Sequence, residues 1–286
     1  MPPPAVFVVG APRSGTTLVR LMLDSHPQVA IPHETSFVPR ALALGDDAGR
    51  EALARFLTEF PTWPDLATSE EELREALARV EPFTLADGLR AFYLRYAAAR
   101  GKTRWGDKTP SYALHLPAIA AAFPEARFVH VLRDGRDVAV SLRPLWFAPG
   151  QDMTSLAREW SRHVVAARAA GAELGPRYLE LRYEDLLLDP RAELSRATNL
   201  LELPFAPEML RYFEGATARL REGQARHDAA GRLLVSQEQR LRNQELAQRP
   251  LDPARVGRWR AELSAEEVAE FTSAAGGLLA SLGYST

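Results

Sequence analysis

A glycine-rich segment near the start of the chain has the spacing of a phosphate-binding loop. Two glycines stand five positions apart, at Gly10 and Gly15, and two threonines follow the second. Glycines at this spacing let the backbone turn so that several N–H groups point inward, and a following helix adds its partial positive charge. The segment predicts a cradle for phosphate or another tetrahedral anion; the alternative is a purely structural glycine turn. The predicted cradle residues are Arg13, Ser14, Gly15, Thr16 and Thr17.

The residue after the second glycine narrows the ligand class. A nucleoside-triphosphatase P-loop has lysine at that position, whereas this chain has Thr16. Arg13 can supply the positive charge instead, because a planar guanidinium binds two oxygens of an anion at once. No predicted strand ends in a convincing aspartate for Mg²⁺. We therefore expect the cradle to bind a phosphate or phosphosulfate and not an ATP–Mg²⁺ complex.

The hydrophobic pattern predicts the elements that position this cradle. The apolar run 5–9 predicts a buried strand, and apolar residues at helical spacing in 16–25 predict a helix. Two further strands are predicted at 127–132 and 178–183, with helices through Ser141, at 153–173 and at 189–201. Strands that alternate with helices predict an α/β fold: a three-layer, P-loop-type central parallel sheet flanked by helices, with helical insertions.

We expect a single domain over residues 1–286. Residues 40–100 are predicted to be a helical insertion, with a capping box at Ser69-x-x-Glu72. The polar segment 222–250 is predicted to be an irregular, mobile loop. Residues 252–284 are predicted to form a C-terminal helical cap whose first helix begins at Asp252-Pro253.

The composition excludes several classes of protein. The chain has 286 residues, of which 46% are hydrophobic and 25% charged, as in a folded globular protein. It has no cysteine, and its six histidines lack metal-ligand spacing, so we expect no disulfide and no metal. A net charge of −2 gives no field that would attract nucleic acid. Without a predicted membrane span or signal peptide, we expect a cytoplasmic protein.

A second anion contact is predicted where the strand 127–132 ends. Ligands collect at the carboxyl ends of strands in open α/β sheets. Arg133 lies at such an end, and Ser141 lies eight residues further on, in the predicted helix. The alternative is a solvated ion-pair turn formed by Arg133, Asp134 and Arg136.

The cradle and the motifs that follow it resemble the sulfotransferases that use 3′-phosphoadenosine 5′-phosphosulfate (PAPS). The pattern is closest to the tyrosylprotein sulfotransferases and their bacterial relatives. The matching segments span residues 6–260 in the family's order: the cradle, L-D-S-H-P with His33-Glu34-Thr35, G-D-Lys108-T-P, V-L-Arg133-D-G-R with Ser141, R-Tyr183-E-D-L and Gly257-Arg258-W-R. The resemblance implies the sulfotransferase fold, PAPS as co-substrate, and sulfuryl transfer to a hydroxyl or amine with release of adenosine 3′,5′-bisphosphate.

The resemblance also implies roles for individual residues in donor binding. Arg133 and Ser141 would bind the donor's 3′-phosphate, and Tyr183 would lie beside the adenine or its phosphate. Arg258 stands where the family has a basic residue that closes on the nucleotide. The alternatives are a structural tyrosine at the edge of the sheet and an arginine on a surface helix.

Glu34 and Lys108 are the catalytic residues that the resemblance implies. Glu34 would accept the acceptor's proton, and Lys108 would stabilise the leaving bridging oxygen. Because an ordinary carboxylate is a weak base for a hydroxyl, we expect partial burial to raise the pKa of Glu34, or proton transfer to occur late. His33 replaces a family glutamate and is the rival base. The structural alternatives are an N-cap or Arg40 partner for Glu34, and a surface turn with Asp107 for Lys108.

The pattern departs from the tyrosylprotein branch at two positions. The serine that assists the transition state there has no clear counterpart, since an ungapped count lands near Asn243 and the nearest serine is Ser236. An arginine four residues after the 3′-phosphate serine is replaced by Leu145. The acceptor class stays open among small molecules, lipids, sugars and peptides. The rival functions are a P-loop nucleotide kinase and a catalytically silent nucleotide-binding module.

Overall fold

The computed structural model describes residues 2–228 and 230–286, and these residues form seven strands and fourteen α-helices. The strands are β1 (Ala5–Gly10), β2 (Val29–Ala30), β3 (Arg104–Lys108), β4 (Ala126–Leu132), β5 (Tyr178–Arg182), β6 (Arg226–His227) and β7 (Leu233–Val235). The helices are α1 (Thr16–Asp24), α2 (Val38–Leu42), α3 (Gly49–Thr58), α4 (Glu70–Ala78), α5 (Leu85–Ala98), α6 (Leu116–Ala122), α7 (Gly135–Leu142), α8 (Met153–Leu174), α9 (Tyr183–Leu188), α10 (Pro190–Leu200), α11 (Phe213–Leu220), α12 (Gln237–Asn243), α13 (Trp259–Glu262) and α14 (Ala265–Ser281).

Five of the strands form a parallel sheet in the order β2-β3-β1-β4-β5. Val8 of β1 pairs with Lys108 of β3, and Gly10 pairs with Val131 of β4. The chain leaves β1 towards β2 and β3 and then crosses back to β4, so the strand order reverses at β1. Ligands of open α/β sheets bind at such a reversal, beyond the carboxyl ends of the strands.

Alternating residues of β1 enter two different hydrophobic clusters, so the sheet is covered on both faces. Ala5, Phe7 and Val9 belong to a cluster that includes α5, α6 and α8. Val6 and Val8 belong to a cluster that includes α1, α9 and α10. This arrangement confirms the predicted three-layer α/β architecture with a central parallel sheet.

The helices predicted between residues 40 and 100 are present as α2 to α5. Both hydrogen bonds of the capping box at the start of α4 are made, between Ser69 and Glu72. Tyr93 of α5 stacks on Trp105 of β3, with ring centroids 4.6 Å apart. The helical region therefore packs directly against the strand that ends in Lys108.

Two strands were missed, and two local predictions were wrong. The pattern missed β2 and β3, because β3 reads Arg-Trp-Gly-Asp-Lys and lacks a run of apolar residues. The helix predicted from Asp252 is a single 3₁₀ turn, Pro253–Arg255, since Val256 is extended and Gly257 has a φ of +73°. The segment 222–250 contains the hairpin β6–β7 and helix α12, so it is not irregular.

Candidate active site

The bend between β1 and α1 has the backbone of an anion cradle. Gly10 and Gly15 have φ angles of +154° and +106°, and Arg13 between them also has a positive φ, of +70°. A Cβ on Gly15 would lie 2.5 Å from the Tyr183 ring, so that position admits only glycine. The Ser14 hydroxyl is buried and has no hydrogen-bond partner among the described residues. The first-turn N–H groups of α1 lack intrahelical partners, and they are available to an anion at this bend.

Two arginines from different strand ends meet beside this bend. The Arg13 Nε donates to the Ser141 hydroxyl at 3.1 Å, and its Nη2 donates to the carbonyl of Asn243 at 2.9 Å. The guanidinium of Arg133 contacts the Arg13 carbonyl at 3.4 Å and lies 4.3 Å from the centre of the Tyr183 ring. Burial, followed by the charge of Arg133, lowers the pKa of Arg13. The structure thus brings Arg13, Arg133, Ser141 and Tyr183 together in an electropositive niche.

The alternative for Arg133, a solvated ion-pair turn, is wrong. Arg136 does pair with Asp134, at 2.8 Å, but both side chains are buried. Arg133 keeps a buried Nε that finds no hydrogen-bond partner in the part of the chain that the structure describes. Asp137 lies 3.6 Å from Nη2 of Arg133 and offsets part of its charge, but the Nε of Arg133 is able to offer a donor to an anion.

Arg258 lines the same cleft, but its guanidinium is already paired with a carboxylate. Its guanidinium binds the Glu262 carboxylate through Nε at 2.7 Å and Nη2 at 2.9 Å. This hydrogen bond raises the pKa of Arg258. Any anion that contacts Arg258 must therefore share its guanidinium with Glu262.

Lys108 lies at the carboxyl end of β3, next to Glu34. Its ammonium is bound to the Glu34 carboxylate and lies 3.3 Å from the Thr17 hydroxyl of the cradle. Only 2% of the side chain of Lys108 is exposed, and Asp107 accepts hydrogen bonds from the hydroxyls of Thr35, Tyr93 and Thr109 instead. The alternative of a surface turn lysine paired with Asp107 is therefore wrong.

Glu34 does not have the raised pKa that we expected. Burial raises the pKa of the carboxyl, but the charge and hydrogen bond of Lys108 outweigh burial, so the pKa lies below its ordinary value. Arg40, the alternative partner, contacts the Phe60 ring. Glu34 is thus ionised at neutral pH and held in place by the ammonium of Lys108.

His33, the rival base, is engaged through its Nδ1. That nitrogen accepts the Glu34 N–H at 3.2 Å and lies 3.3 Å from Nη2 of Arg240. Burial, with the charges of Arg20 and Arg240, lowers the pKa of His33 well below its ordinary value. The imidazole is therefore neutral, and one of its two nitrogens is already engaged.

Several residues of the cleft were missed by sequence reasoning. Arg226 and Arg240 come from the segment expected to be irregular, and both pair with the buried Asp65. Asn243, where the ungapped count placed the family's serine, contributes its carbonyl to Arg13. Their residue type was the only signal, and arginine is too frequent in this chain to make it informative.

All the predicted site residues except the buried Ser14 line one cleft. Its cavity measures about 560 Å³ and reaches from the cradle, past Lys108 and Glu34, to Arg226 and Arg240. Nowhere in the described residues do three His, Asp or Glu side chains gather in a way that could hold a metal ion. Of the helices described, none is both long and apolar enough to cross a membrane.

Comparison with known proteins identifies the family. A model of the sulfotransferase family matches residues 4–207. The chain belongs to the sulfotransferase family. The resemblance inferred from the motifs is thereby confirmed at the level of the family, and the matched range contains the cradle, Glu34, Lys108, Arg133 and Tyr183.

Individual sulfotransferases are similar over different shares of the chain. Protein-tyrosine sulfotransferase 1 of Danio rerio is 29% identical over 218 residues, which cover 74% of this chain and 56% of that protein. Nodulation protein NoeE of Sinorhizobium fredii is 29% identical over 302 residues, covering 97% of this chain and 65% of that protein. This chain therefore spans less than two thirds of the length of these two relatives.

A solved sulfotransferase structure matches the fold over the whole chain. The sulfotransferase domain from the olefin synthase of Synechococcus PCC 7002 has a TM-score of 0.65 and 25% sequence identity, with coverage of 100% of this chain and 96% of that domain. The match to the family model ends at residue 207, before segment 222–250 and Arg258.

Proposed function

We propose that this protein transfers a sulfuryl group from PAPS to a hydroxyl or amine of an acceptor and releases adenosine 3′,5′-bisphosphate. The acceptor's oxygen or nitrogen forms a bond to sulfur, the bond from sulfur to the bridging oxygen breaks, and the acceptor loses a proton. The observation that carries the proposal is the contact of Lys108 with both Glu34 and Thr17 of the cradle. A cation for the leaving group and a carboxylate for the proton thus lie at the rim of an anion cradle.

The donor would occupy the electropositive niche beside Arg13 and Arg133. Backbone N–H groups of 14–17 and the Arg13 guanidinium would hold the 5′-phosphosulfate, since both offer several donors to a tetrahedral group. Arg133, with its unpartnered buried Nε, and Ser141 would hold the 3′-phosphate. Tyr183 would lie beside the adenosine, and Arg258 would turn from Glu262 towards the nucleotide.

The chemistry assigns opposite tasks to Lys108 and Glu34. Negative charge grows on the bridging oxygen as its bond to sulfur breaks, and the Lys108 ammonium stabilises that charge. Lys108 must then loosen its contact with Glu34, which raises the affinity of the carboxylate for a proton. Glu34 accordingly becomes a stronger base as the reaction proceeds, and this supports late proton transfer. His33 is the weaker candidate, because its Nδ1 already accepts a hydrogen bond from the Glu34 N–H.

A ligand comparison tests the donor assignment. Adenosine 3′,5′-bisphosphate is expected to raise the Tm of the protein and ATP–Mg²⁺ is not, because Thr16 replaces the lysine that reaches β- and γ-phosphates. Arg13→Gln is expected to abolish the rise, and Arg232→Gln on an exposed hairpin is the matched control. A larger rise with ATP–Mg²⁺ would support the nucleotide kinase instead.

A transfer experiment tests the activity. The protein is incubated with ³⁵S-labelled PAPS and a cell extract, and labelled products are separated from the donor. We expect a labelled product that Glu34→Gln suppresses while adenosine bisphosphate binding is kept. Binding without any labelled product would indicate the catalytically silent module.

We also propose that one segment of the domain moves and that the protein is located in the cytoplasm. We expect one domain in which segment 222–250 moves to admit the donor, so hydrogen exchange in this segment should slow when adenosine 3′,5′-bisphosphate binds. The absence of cysteine supports a cytoplasmic location, which cell fractionation would test.

A further inference from the structure

Asp137 is a buried carboxylate that the proposed chemistry does not use. It lies in the first turn of α7, four residues after Arg133 and four before Ser141, and it is fully buried. The N–H of Gly257 donates to its Oδ2 and the N–H of Trp259 donates to its Oδ1, both at 2.9 Å. Oδ2 also lies 3.6 Å from Nη2 of Arg133. A single carboxylate thus joins the predicted 3′-phosphate contact to a segment 120 residues later in the chain.

The segment that Asp137 binds is a short turn, residues 255–259, which we call the C-terminal turn. The two N–H groups flank Arg258, so the carboxylate holds the backbone on both sides of that residue. The ring of Trp259 packs against the same helix, because the guanidinium of Arg136 lies 3.7 Å from its centre. Helix α13, which follows, has only four residues. Helix α7 therefore anchors the C-terminal turn.

The C-terminal turn presents two arginines to the cleft, Arg255 and Arg258, and they differ in how firmly they are held. Arg258 is bound by Glu262 through two hydrogen bonds. The guanidinium of Arg255 pairs with one carboxylate in the described part of the chain, that of Asp252 at 3.9 Å, which is beyond hydrogen-bond distance. The side chain of Arg255 is 31% exposed. Arg255 is therefore the arginine of this turn whose donors are available to a ligand.

Arg255 lies beside the predicted site of the 3′-phosphate. Its carbonyl is 3.5 Å from Nη2 of Arg133. Burial raises the pKa of Tyr183, and the charges of Arg133 and Arg255 oppose that rise, so both guanidinium groups act on the same ring. Arg133 also has a buried Nε without a partner among the described residues. Two guanidinium groups with unused donors thus approach one niche, and a phosphate is the kind of group that both can bind.

We propose that Asp137 positions the C-terminal turn so that Arg255 binds the donor's 3′-phosphate together with Arg133. This inference rests on PAPS as the proposed donor. Asp137 is then a positioning residue that contacts neither donor nor acceptor, whereas Arg255 is a donor-binding residue. A nucleotide that lacks the 3′-phosphate gains nothing from Arg255, so both residues should separate adenosine 3′,5′-bisphosphate from adenosine 5′-phosphate.

Replacement of Asp137 by asparagine tests the positioning role. Asparagine has nearly the same size, but its amide has one oxygen, so one of the two N–H groups of the C-terminal turn loses its acceptor. In Asp137→Asn we expect the Kd of adenosine 3′,5′-bisphosphate, measured by calorimetry, to rise about tenfold or more, while the Kd of adenosine 5′-phosphate, measured by competition, stays within about twofold. An equal rise of both constants would reduce Asp137 to a structural role and overturn the proposal. A lower Kd of the bisphosphate would also overturn it, because Asp137 would then only offset the charge of Arg133.

Replacement of Arg255 tests the contact itself and does not disturb a buried group. Arg255→Gln is expected to raise the Kd of adenosine 3′,5′-bisphosphate about tenfold and to leave that of adenosine 5′-phosphate unchanged. Arg260→Gln is the matched control, since Arg260 is exposed and lies just beyond the same turn, and it should change neither constant. In the double variant of Asp137 and Arg255 the losses should be less than additive, because both act through one contact. Fully additive losses would contradict the positioning role.

The same measurements separate this inference from the proposed function. If adenosine 3′,5′-bisphosphate does not bind to the wild-type protein, the proposed donor is wrong and this inference fails with it. If the wild type binds it and both Asp137→Asn and Arg255→Gln keep the wild-type Kd, this inference alone is overturned and the proposed sulfuryl transfer stands.

Discussion

The replacement of Lys108 by methionine separates ground-state binding from stabilisation of the transition state. The Lys108 ammonium is bound to Glu34, so it contributes little net charge towards attracting the donor. The ammonium stabilises the bridging oxygen of the donor only when negative charge develops on that oxygen. Loss of one such contact typically lowers kcat by about 10²–10³-fold, or roughly 2.7–4 kcal/mol of transition-state stabilisation. We therefore expect Lys108→Met to lower kcat by this factor and to leave the donor Kd almost unchanged.

The same replacement shifts the pH dependence in a defined direction. Glu34 accepts a proton only when it is ionised, and its lowered pKa keeps the wild-type enzyme active until the pH falls below 4.5, the ordinary value for glutamate. Without Lys108, burial is left to raise the pKa of Glu34 with less opposition. The acid limb of kcat/KM should therefore move to higher pH in Lys108→Met.

The other lysine of the chain provides the matched control. Lys102 donates hydrogen bonds to the carbonyls of Asp24 and Val29, away from the cradle. Lys102→Met should lower the Tm and leave kcat unchanged. Rates are measured as transfer of ³⁵S from labelled PAPS, and the donor Kd by calorimetry with adenosine 3′,5′-bisphosphate. Equal losses of kcat and donor affinity in Lys108→Met would refute the reasoning, because they would mean that the lysine binds the ground-state donor.

Three further replacements test other parts of the site and the fold. Glu34→Gln should lower kcat by roughly 10²–10⁴-fold and leave adenosine bisphosphate binding intact in calorimetry. Gly15→Ala should abolish that binding in thermal shift, because the added Cβ would meet the Tyr183 ring at 2.5 Å, whereas Gly231→Ala, also left-handed but in open space, should not. Burial raises the pKa of Asp24, but the charge of Arg219 outweighs burial, so the pKa lies below 3.8. Asp24→Asn should therefore lower the free energy of unfolding, measured in urea at pH 7, by about 3–5 kcal/mol. This loss should shrink as the pH falls through the lowered pKa, because Asp24 of the wild type then becomes protonated too.

The cradle could be predicted from the sequence because all its determinants are local. The strand, the two glycines and the helix follow one another within twenty residues, and each has its own pattern. The parallel sheet was predictable for the same reason, since β1 and β4 carry apolar runs and β5 alternates leucine with charged residues. The family motifs then placed Glu34 and Lys108 in the site without any knowledge of their contact.

The sequence pattern did not reveal β3, which ends in Lys108, because its buried polar residues form hydrogen bonds with partners from distant segments. Asp107 sits in β3 as a buried carboxylate, which hydrophobic patterning counts against a strand. Three hydroxyls, from Thr35, Tyr93 and Thr109, make this burial tolerable. Two of the three come from other segments, so the sequence around β3 contains no sign of them.

Segment 222–250, which forms one wall of the cleft, also depends on charged residues that lie far away in the sequence. Its arginines made the segment look solvated, yet Arg226 and Arg240 turn inward to Asp65, which lies more than 150 residues earlier. Arg13 anchors the other end of the wall through the Asn243 carbonyl. A donor that draws Arg13 to its own phosphosulfate competes with that anchor, while Asp65 keeps hold of the far end. The end of the wall at Asn243 is therefore the part that must yield when the nucleotide enters, and the end bound to Asp65 keeps its shape.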